Sequence, residues 1–404
     1  MIADSLNILM ITHHRRSRTI YRSHTIARYL VERGHRVTLI VTADRRRFGM
    51  VETEWDGVRV IESPDLLWGR LRSGWDLWSL LNRVIHLRSE TQSYDLIHCF
   101  ETRPGTIHPA LFFARMHNLP MFSDWNDWFG RGGIIDILRP RWYQLLFGWL
   151  ETYYEEAFRP HCDGTTVIST ALGRRAEKLS IPSDRICYLP GGVIPELYLN
   201  RSLEECRTHV GLPLDIPILG FASSDSHLDM EIAFSSLAIV ARTFPSVKLI
   251  MTGNVRPSVL KLAEEFGVKE HILLSGFLPE EELPWWLGCA NVFLLPFPET
   301  VYNVGRWPNK IGLYMSLERP FVTNPTGDVK TLVEEYHAGV MADATPEDFA
   351  DKIISLLQNP DLARQLGRNG REAALTRYNW KSLVSTLEDF YLRIIKMERI
   401  SKRN

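Results

Sequence analysis

The chain has 404 residues, a formal charge of −1 and an ordinary globular composition, 45% hydrophobic and 24% charged. That length suits two domains of about 200 residues rather than one core, and the balanced charge gives no broad electrostatic footing for nucleic acid. Five scattered cysteines with no CxxC and no Cys/His ligand spacing argue for reduced thiols in a cytoplasmic protein and against zinc, and no apolar run reaches the ~18–20 residues that span a bilayer.

Asn7–Thr12 (NILMIT) reads as a short buried strand rather than a secretion segment. A basic cluster, His13 to Arg22, follows it. Ile26, Ala27 and Leu30 share one face of a helix over Ser23–Arg33, Gly34 ends it, and Arg36–Thr42 (RVTLIVT) is the next strand. This is a βαβ unit with a crossover of the right length. Further strands are expected at Val58–Glu62, Asp95–Phe100, Pro120–Ser123 and Gly164–Ser169, with helices between them that include Pro109–His117 and Arg141–Phe158. The alternation predicts a parallel sheet covered on both faces. Arg139–Phe158 carries aromatics at helical spacing. It reads as domain packing or as a membrane-surface helix. Glu151, Glu155 and Glu156 on its polar face would be repelled by anionic lipid, which favours packing.

The chain turns sharply at Pro190–Val193, a polar helix-like piece follows, Pro213 and Pro217 bracket a new start, and a linker is expected at about 190–215. From Ile218 the strand–helix alternation starts again (ILGFAS, VKLIMTG, HILLSGF, NVFLLPF, RPFVTN), and Glu347 onward is strongly helical. The pattern is α/β, with two doubly wound domains, and such sheets bind ligands beyond the carboxyl ends of their strands. Two first-half carboxylate groups fall at such ends: Glu101 just past DLIHCF, and Asp124 and Asp127 in SDWNDWFGRGG. In the second half the strand-like run Asn291–Phe297 leads through a polar loop into a helix within Arg306–Pro320 (RWPNKIGLYMSLERP). Strand, loop and helix start in that order build anion sites, and Arg306 and Lys310 beside the helix start would favour a phosphate or diphosphate. The alternative is that both are solvated surface cations.

Pro308-Asn309-Lys310 and Tyr314-Met315 resemble the donor-site motif of retaining GT-B glycosyltransferases of group 1, family 4. RGHRVTLIVT, DLIHCF, TTVIST, YLPGGV, FPSVKLIMTGN, ILLSGFLPEEEL, CANVFLLPF and PTGD each resemble a family segment in the expected order, over nearly the whole chain. The resemblance implies a GT-B fold, two Rossmann-like domains facing a central cleft. An acceptor-side domain spans 1–200 and a donor domain 201–378. A terminal helix, 379–404, crosses back to the first domain. It implies sugar transfer with retention from a nucleotide-diphosphate sugar to a glycan or lipid-linked acceptor. The place would be the cytoplasm, peripherally at the inner membrane face. No cofactor is implied beyond the nucleotide sugar as co-substrate. No DxD-type metal motif stands in a convincing loop, so no metal is expected.

For individual residues the resemblance implies the following. Lys310 and Arg306 clamp the donor phosphates, with Ser223 and Ser224 nesting them by hydroxyl and backbone groups. The usual basic pair is missing from that loop, Ala222–His227. The family's two glutamates, eight positions apart, fall on Gly305 and Leu313, so Glu299, Asn303 and Asn309 are left to serve the sugar and ribose. Gly253, Gly276 and Phe277 line the base region. Asp127 orients the donor sugar or an acceptor hydroxyl, or else caps the next turn; Glu101 is a second cleft-edge carboxylate. The departing phosphate takes the acceptor proton, so no strong side-chain base is required. Arg15, Arg16 and Arg22 form a basic acceptor-side lip or an ordinary solvated turn. Two other readings stay open: a catalytically silent nucleotide-sugar binder, favoured by Gly305 and Leu313, and a nucleotide-sugar epimerase.

Overall fold

The computed structural model describes residues 5–15, 21–66, 73–198, 201–222 and 227–401. The expectations for Arg16, Ser223 and Ser224 lie outside the described residues. The chain divides into two units, Met1–Pro190 with Trp380–Asn404, and Gly191–Asn379.

Unit 1 contains, in order, β1 (Asn7–Arg15), α1 (Tyr21–Glu32), β2 (Arg36–Thr42), β3 (Val51–Trp55), β4 (Val58–Ser63), α2 (Leu77–Arg88) and β5 (Leu96–Phe100). There follow α3 (Pro104–His117), β6 (Met121–Trp125), α4 (Ile134–Leu138), α5 (Arg141–Glu156), β7 (Gly164–Val167), α6 (Thr170–Lys178) and β8 (Ile186–Tyr188). Its eight strands run β3-β4-β2-β1-β5-β6-β7-β8. The strands pair in parallel except β3 with β4, which form a hairpin. The strand β3 was not anticipated. Its alternation is half-exposed, and its signal is the turn Asp56-Gly57, with φ of 51° and 74°, an Asp-Gly pair suited to a two-residue hairpin loop.

The central strands are buried on both faces. On one face α2, α3 and the end of α5 enclose a core of Leu9, Ile11, Leu87, Ile97, Ile107 and Phe113, with Tyr154 and Phe158 against it. The helix α3 begins five residues earlier than expected, with Pro104 in its first turn and Pro109 inside it. Pro109 has no N–H to offer the carbonyl of Gly105. The buried Arg83 guanidinium donates to that carbonyl instead, at 2.8 Å.

Unit 2 begins with α7 (Leu203–Val210), β9 (Ile218–Ala222), α8 (His227–Thr243), β10 (Lys248–Thr252), α9 (Pro257–Glu265), β11 (Ile272–Gly276), α10 (Leu283–Gly288) and β12 (Val292–Leu295). It continues through α11 (Val301–Val304), α12 (Lys310–Ser316), β13 (Phe321–Thr323), α13 (Gly327–Tyr336), β14 (Gly339–Met341), α14 (Pro346–Gln358) and α15 (Pro360–Thr376). The sheet is parallel, in the order β11-β10-β9-β12-β13-β14. The strand order reverses between β9 and β12, which makes that pair the topological switch point.

The expected linker at 190–215 is instead part of this unit, and the expected domain boundary at 200 moves to Pro190/Gly191. Ser202 and Glu205 form a reciprocal capping box at the start of α7. The buried Arg207 donates to the carbonyls of Cys289, Leu214 and Ile216 and to Asn291. A side chain so fully used cements the segment to its sheet.

The last helix, α16 (Trp380–Ser401), belongs to unit 1 and packs beside α1. Its Tyr391 hydroxyl meets His98 Nδ1 at 2.5 Å, and Phe390 and Tyr391 stack edge-on against Phe122. Glu388 pairs with Arg33 and with His35 Nε2.

Candidate active site

In unit 2 the candidate residues gather along the carboxyl edge of the sheet. The strand β12 ends at Leu295, and the chain passes Phe297 into the short α11, capped by Thr300 Oγ1 on the Asn303 amide. Arg306 is half-buried. It donates to Asn303 Oδ1 at 2.9 Å and to Tyr302 Oη at 3.0 Å, and its guanidinium lies 4.2 Å from the Tyr302 ring centre and 5.0 Å from that of Phe297. Lys310 opens α12, with its ammonium 3.8 Å from the ring centre of Phe221, the penultimate residue of β9. The two cations therefore rest on aromatic faces at the carboxyl ends of β9 and β12, on either side of the switch point. An aromatic face holds a cation by its quadrupole without neutralising it. The helix α12 has only seven residues, so the side-chain charges, more than the dipole, set the local potential.

The neighbouring strand ends are open. Gly253 and Gly276 both have positive φ, 89° and 67°, and the Gly253 amide donates to Gly276 O at 2.9 Å. A Cβ on either would meet nothing within 4 Å. Phe277 follows, 80% exposed. These residues lie at the carboxyl ends of β10 and β11.

Other expectations fare differently. Asn303 is buried and locally used: its Nδ2 donates to Pro298 O and its Oδ1 holds Arg306. It positions a cation, which corrects its assignment to sugar or ribose. Glu299 and Asn309 are exposed; Asn309 lies against Gly191, where a Cβ would come within 2.4 Å of its Oδ1. Gly305 is the buried end of α11 and Leu313 is half-buried, so neither expected carboxylate position bears a hydrogen-bonding side chain. Tyr314, quoted in the motif but given no role, is a positioning residue. Its hydroxyl accepts from the Ala222 amide at 3.0 Å and donates to Leu294 O at 3.3 Å, and its ring stacks on Phe293 at 3.9 Å. It ties together the ends of β9 and β12 beneath the two cations. Its only sequence signal was an aromatic one turn after Lys310.

In unit 1 the pairing of β1, β5, β6 and β7 brings Thr12, Phe100, Asp124 and Thr166 into one row. Just beyond it, the carboxylates are committed. Asp124 is buried and takes a two-pronged bond from Arg22, Nε at 3.0 Å and Nη2 at 2.9 Å, with Thr166 Oγ1 at 2.6 Å. Burial pushes the Asp124 carboxyl up, but the Arg22 charge and these hydrogen bonds hold it below the usual carboxylate range. Arg22 also donates to Leu189 O and Pro190 O. Arg15 pairs with Asp65 and donates to Ala43 O and Asp44 O. Both arginines are structural anchors in unit 1, which corrects their assignment to a basic acceptor-side lip.

Glu101 has a positive φ of 66° and is buried. Its Oε1 accepts from the Asn126 amide at 2.9 Å and its Oε2 from Arg159 at 3.2 Å. Burial pushes its carboxyl up to about 8, against the pull of Arg159 and that amide. Left-handed backbone in a non-glycine residue is strain retained at a sheet edge. Glu101 is thus a support for the loop after β6, not a group open for proton transfer. Glu155 is the second support: it accepts from the amides of Phe129 and Gly130 and from the Trp125 indole. Asp127 lies between those anchored amides, half-buried, where it acts electrostatically on Arg103. Arg103 in turn, with burial as the larger cause, pulls the half-buried His14 imidazole down to about 4. Arg159 and Glu155 carried no sequence signal, because their role exists only once the loop is folded over them.

Two strand-edge sites on doubly wound sheets define a GT-B protein. The comparisons with known proteins agree. Residues 22–197 match the family model "Glycosyltransferase Family 4" and residues 217–359 match "Glycosyl transferases group 1". The chain belongs to the group 1, family 4 glycosyltransferases. It is 22% identical over 330 residues to an alpha-D-kanosaminyltransferase of Streptomyces kanamyceticus, covering 79% of this chain and 81% of that one. It is 26% identical over 250 residues to a GDP-mannose-dependent alpha-(1-6)-phosphatidylinositol monomannoside mannosyltransferase of Mycobacterium tuberculosis, covering 56% and 62%. Among solved structures it resembles sucrose-phosphate synthase from Thermosynechococcus elongatus, with a TM-score of 0.77 at 16% identity over 97% and 100% of the two chains.

Proposed function

We propose that this glycosyltransferase moves a sugar, with retention and without a metal, from a nucleotide-diphosphate sugar to a glycan or lipid-linked acceptor. The carrying observation is the placement of Lys310 and Arg306 over Phe221 and Phe297, astride the switch point of unit 2. A diphosphate there would meet two cations held at the strand ends, which is the charge stabilisation a departing nucleoside diphosphate needs. The base would lie toward Gly253, Gly276 and Phe277. In unit 1 Asp127, held between anchored amides, would orient the donor sugar or an acceptor hydroxyl, and the departing phosphate would take the acceptor proton. One relative is named for GDP-mannose and phosphatidylinositol monomannoside, which supports the donor class and a lipid-linked acceptor. The place of action would be cytoplasmic, with peripheral attachment at the inner membrane face.

A scan of uridine, guanosine and adenosine diphosphate sugars by thermal shift tests the reading. A true donor at 100 times its dissociation constant stabilises the fold by about 2.7 kcal/mol. If no nucleotide sugar moves the melting curve, the donor site is wrongly placed. A second reading, a silent nucleotide-sugar binder, is favoured by Gly305 and Leu313 in place of carboxylates. Release of free sugar or of an altered sugar from the stabilising donor separates live chemistry from silent binding.

A further inference from the structure

The helix α5 is turned the opposite way from a packing helix. Its carboxylates face inward: Glu151 and Glu155 are buried, the first accepting from Tyr143 Oη at 3.0 Å and the second from the Trp125 indole at the end of β6 and from two amides of the loop after it. Its apolar stripe faces outward. Trp142, Leu145, Leu146, Trp149 and Tyr153 recur at helical spacing and are all exposed, Leu145 at 82% and Trp149 at 64%. The packing role expected for this stripe is therefore overturned, and so is the charge argument against lipid: Glu151 and Glu155 do not face solvent, and Glu156 is half-buried and paired with Arg175.

A second exposed apolar stripe lies on α2, which packs with the end of α5 on the same core of unit 1. The helices α2 and α5 flank α3 on one face of the sheet, joined by His108 Nε2 with Tyr154 Oη at 2.9 Å and by Trp75 against Tyr154. The outward face of α2 carries Leu77, Leu81 and Ile85, Leu77 being 71% exposed. Phe48, also exposed, leans on Trp78 at its start. The exposed charges around both stripes are mainly positive. Arg131, Arg139 and Arg141 border α4 and α5, and Arg45, Arg46, Arg47 and Arg88 border α2. The exposed acid of α4, Asp136, is held by the Gly132 amide.

We infer that this face of unit 1, centred on α5, docks on an anionic phospholipid surface. It has what such an interface demands: tryptophan, leucine and tyrosine on one side of a helix, arginines at the rim, and the carboxylates of that helix withdrawn from contact. Among the described residues no helix is long and apolar enough to cross a membrane, so the contact is peripheral. The inference deepens the attachment proposed above by naming its surface, and it is independent of the donor site.

The test is co-sedimentation of the full chain with vesicles of phosphatidylcholine alone and of equal phosphatidylcholine and phosphatidylglycerol, at low and high salt. The expected result is binding to the anionic vesicles that falls with salt. It should fall at least tenfold in the double variant Leu145→Glu/Trp149→Glu and less in Arg139→Glu/Arg141→Glu. The far-ultraviolet circular dichroism and the melting temperature without donor should be the same in all three proteins, which reports intact folding. Binding by wild type that both double variants retain overturns the surface but not the attachment. No binding by wild type to either vesicle overturns both. A dimer in sedimentation velocity that Leu145→Glu/Trp149→Glu dissolves, without vesicle binding, replaces lipid by a second copy of the chain.

Discussion

The two sheet edges use charge in opposite ways. In unit 1 the charged groups are matched and buried: Arg22 with Asp124, and Glu155 with Arg175 and backbone amides. In unit 2 Arg306 and Lys310 lie over rings at the strand ends. A buried ion pair shapes a loop, because its charge is cancelled before a ligand arrives. A cation stacked on an aromatic face is held in place by the ring quadrupole, which carries no net charge of its own. Proximity to a carboxyl edge is thus a poor guide to chemistry until the partner of each charge is known.

Four substitutions can break or sharpen that contrast, in falling order of effect. Arg22→Ala should leave Asp124 buried without its counter-charge and cost about 3–5 kcal/mol of unfolding free energy. Denaturant melts check this, and a loss under 1 kcal/mol would mean that the pair does not anchor unit 1. Lys310→Ala should leave the melt nearly unchanged but abolish the donor-induced shift and cut transfer by about 10²–10³-fold, the scale of losing one preorganised charge-stabilising group. An undiminished shift would remove Lys310 from the donor site. Tyr314→Phe removes the hydroxyl between Ala222 N and Leu294 O. Leaving a buried amide unmet should cost about 1–3 kcal/mol, with weaker donor stabilisation; parent-like stability and donor response would contradict a positioning role.

The fourth effect is one of pH and is read as a slope. The Glu101 carboxyl is raised from 4.5 to about 8 in the fold. Its protonated form is the favoured native one, so its stabilising contribution is full below pH 4.5 and is lost as pH rises toward 8. Glu101→Gln should flatten this part of the stability–pH curve between pH 5 and 8, measured by urea unfolding. A variant curve parallel to the parent's would show that Glu101 does not titrate there.

Much of the fold was legible because hydrophobic period is a local property. The strand Arg36–Thr42 was read to the residue, and most unit 1 strands were found within two residues at each end. The misses have identifiable causes. The β3 strand carries glutamates on its open face, which hid the alternation, although Asp56-Gly57 marked the hairpin. The expected linker joined unit 2 because Arg207 of its helix donates to Leu214 and Ile216 close by and to Cys289, 82 residues away.

The sequence alone determined the class: two strand–helix alternations, a Pro-Asn-Lys segment at a strand's carboxyl end, and family segments in order. These depend on neighbours along the chain. Tertiary structure decided which charges are occupied and which side of α5 faces water. A helical period reports that a stripe exists but is blind to its direction. That direction was fixed by the Trp125 indole and the amides of Phe129 and Gly130, buried donors whose demand for an acceptor drew Glu155 inward and left the tryptophans outside.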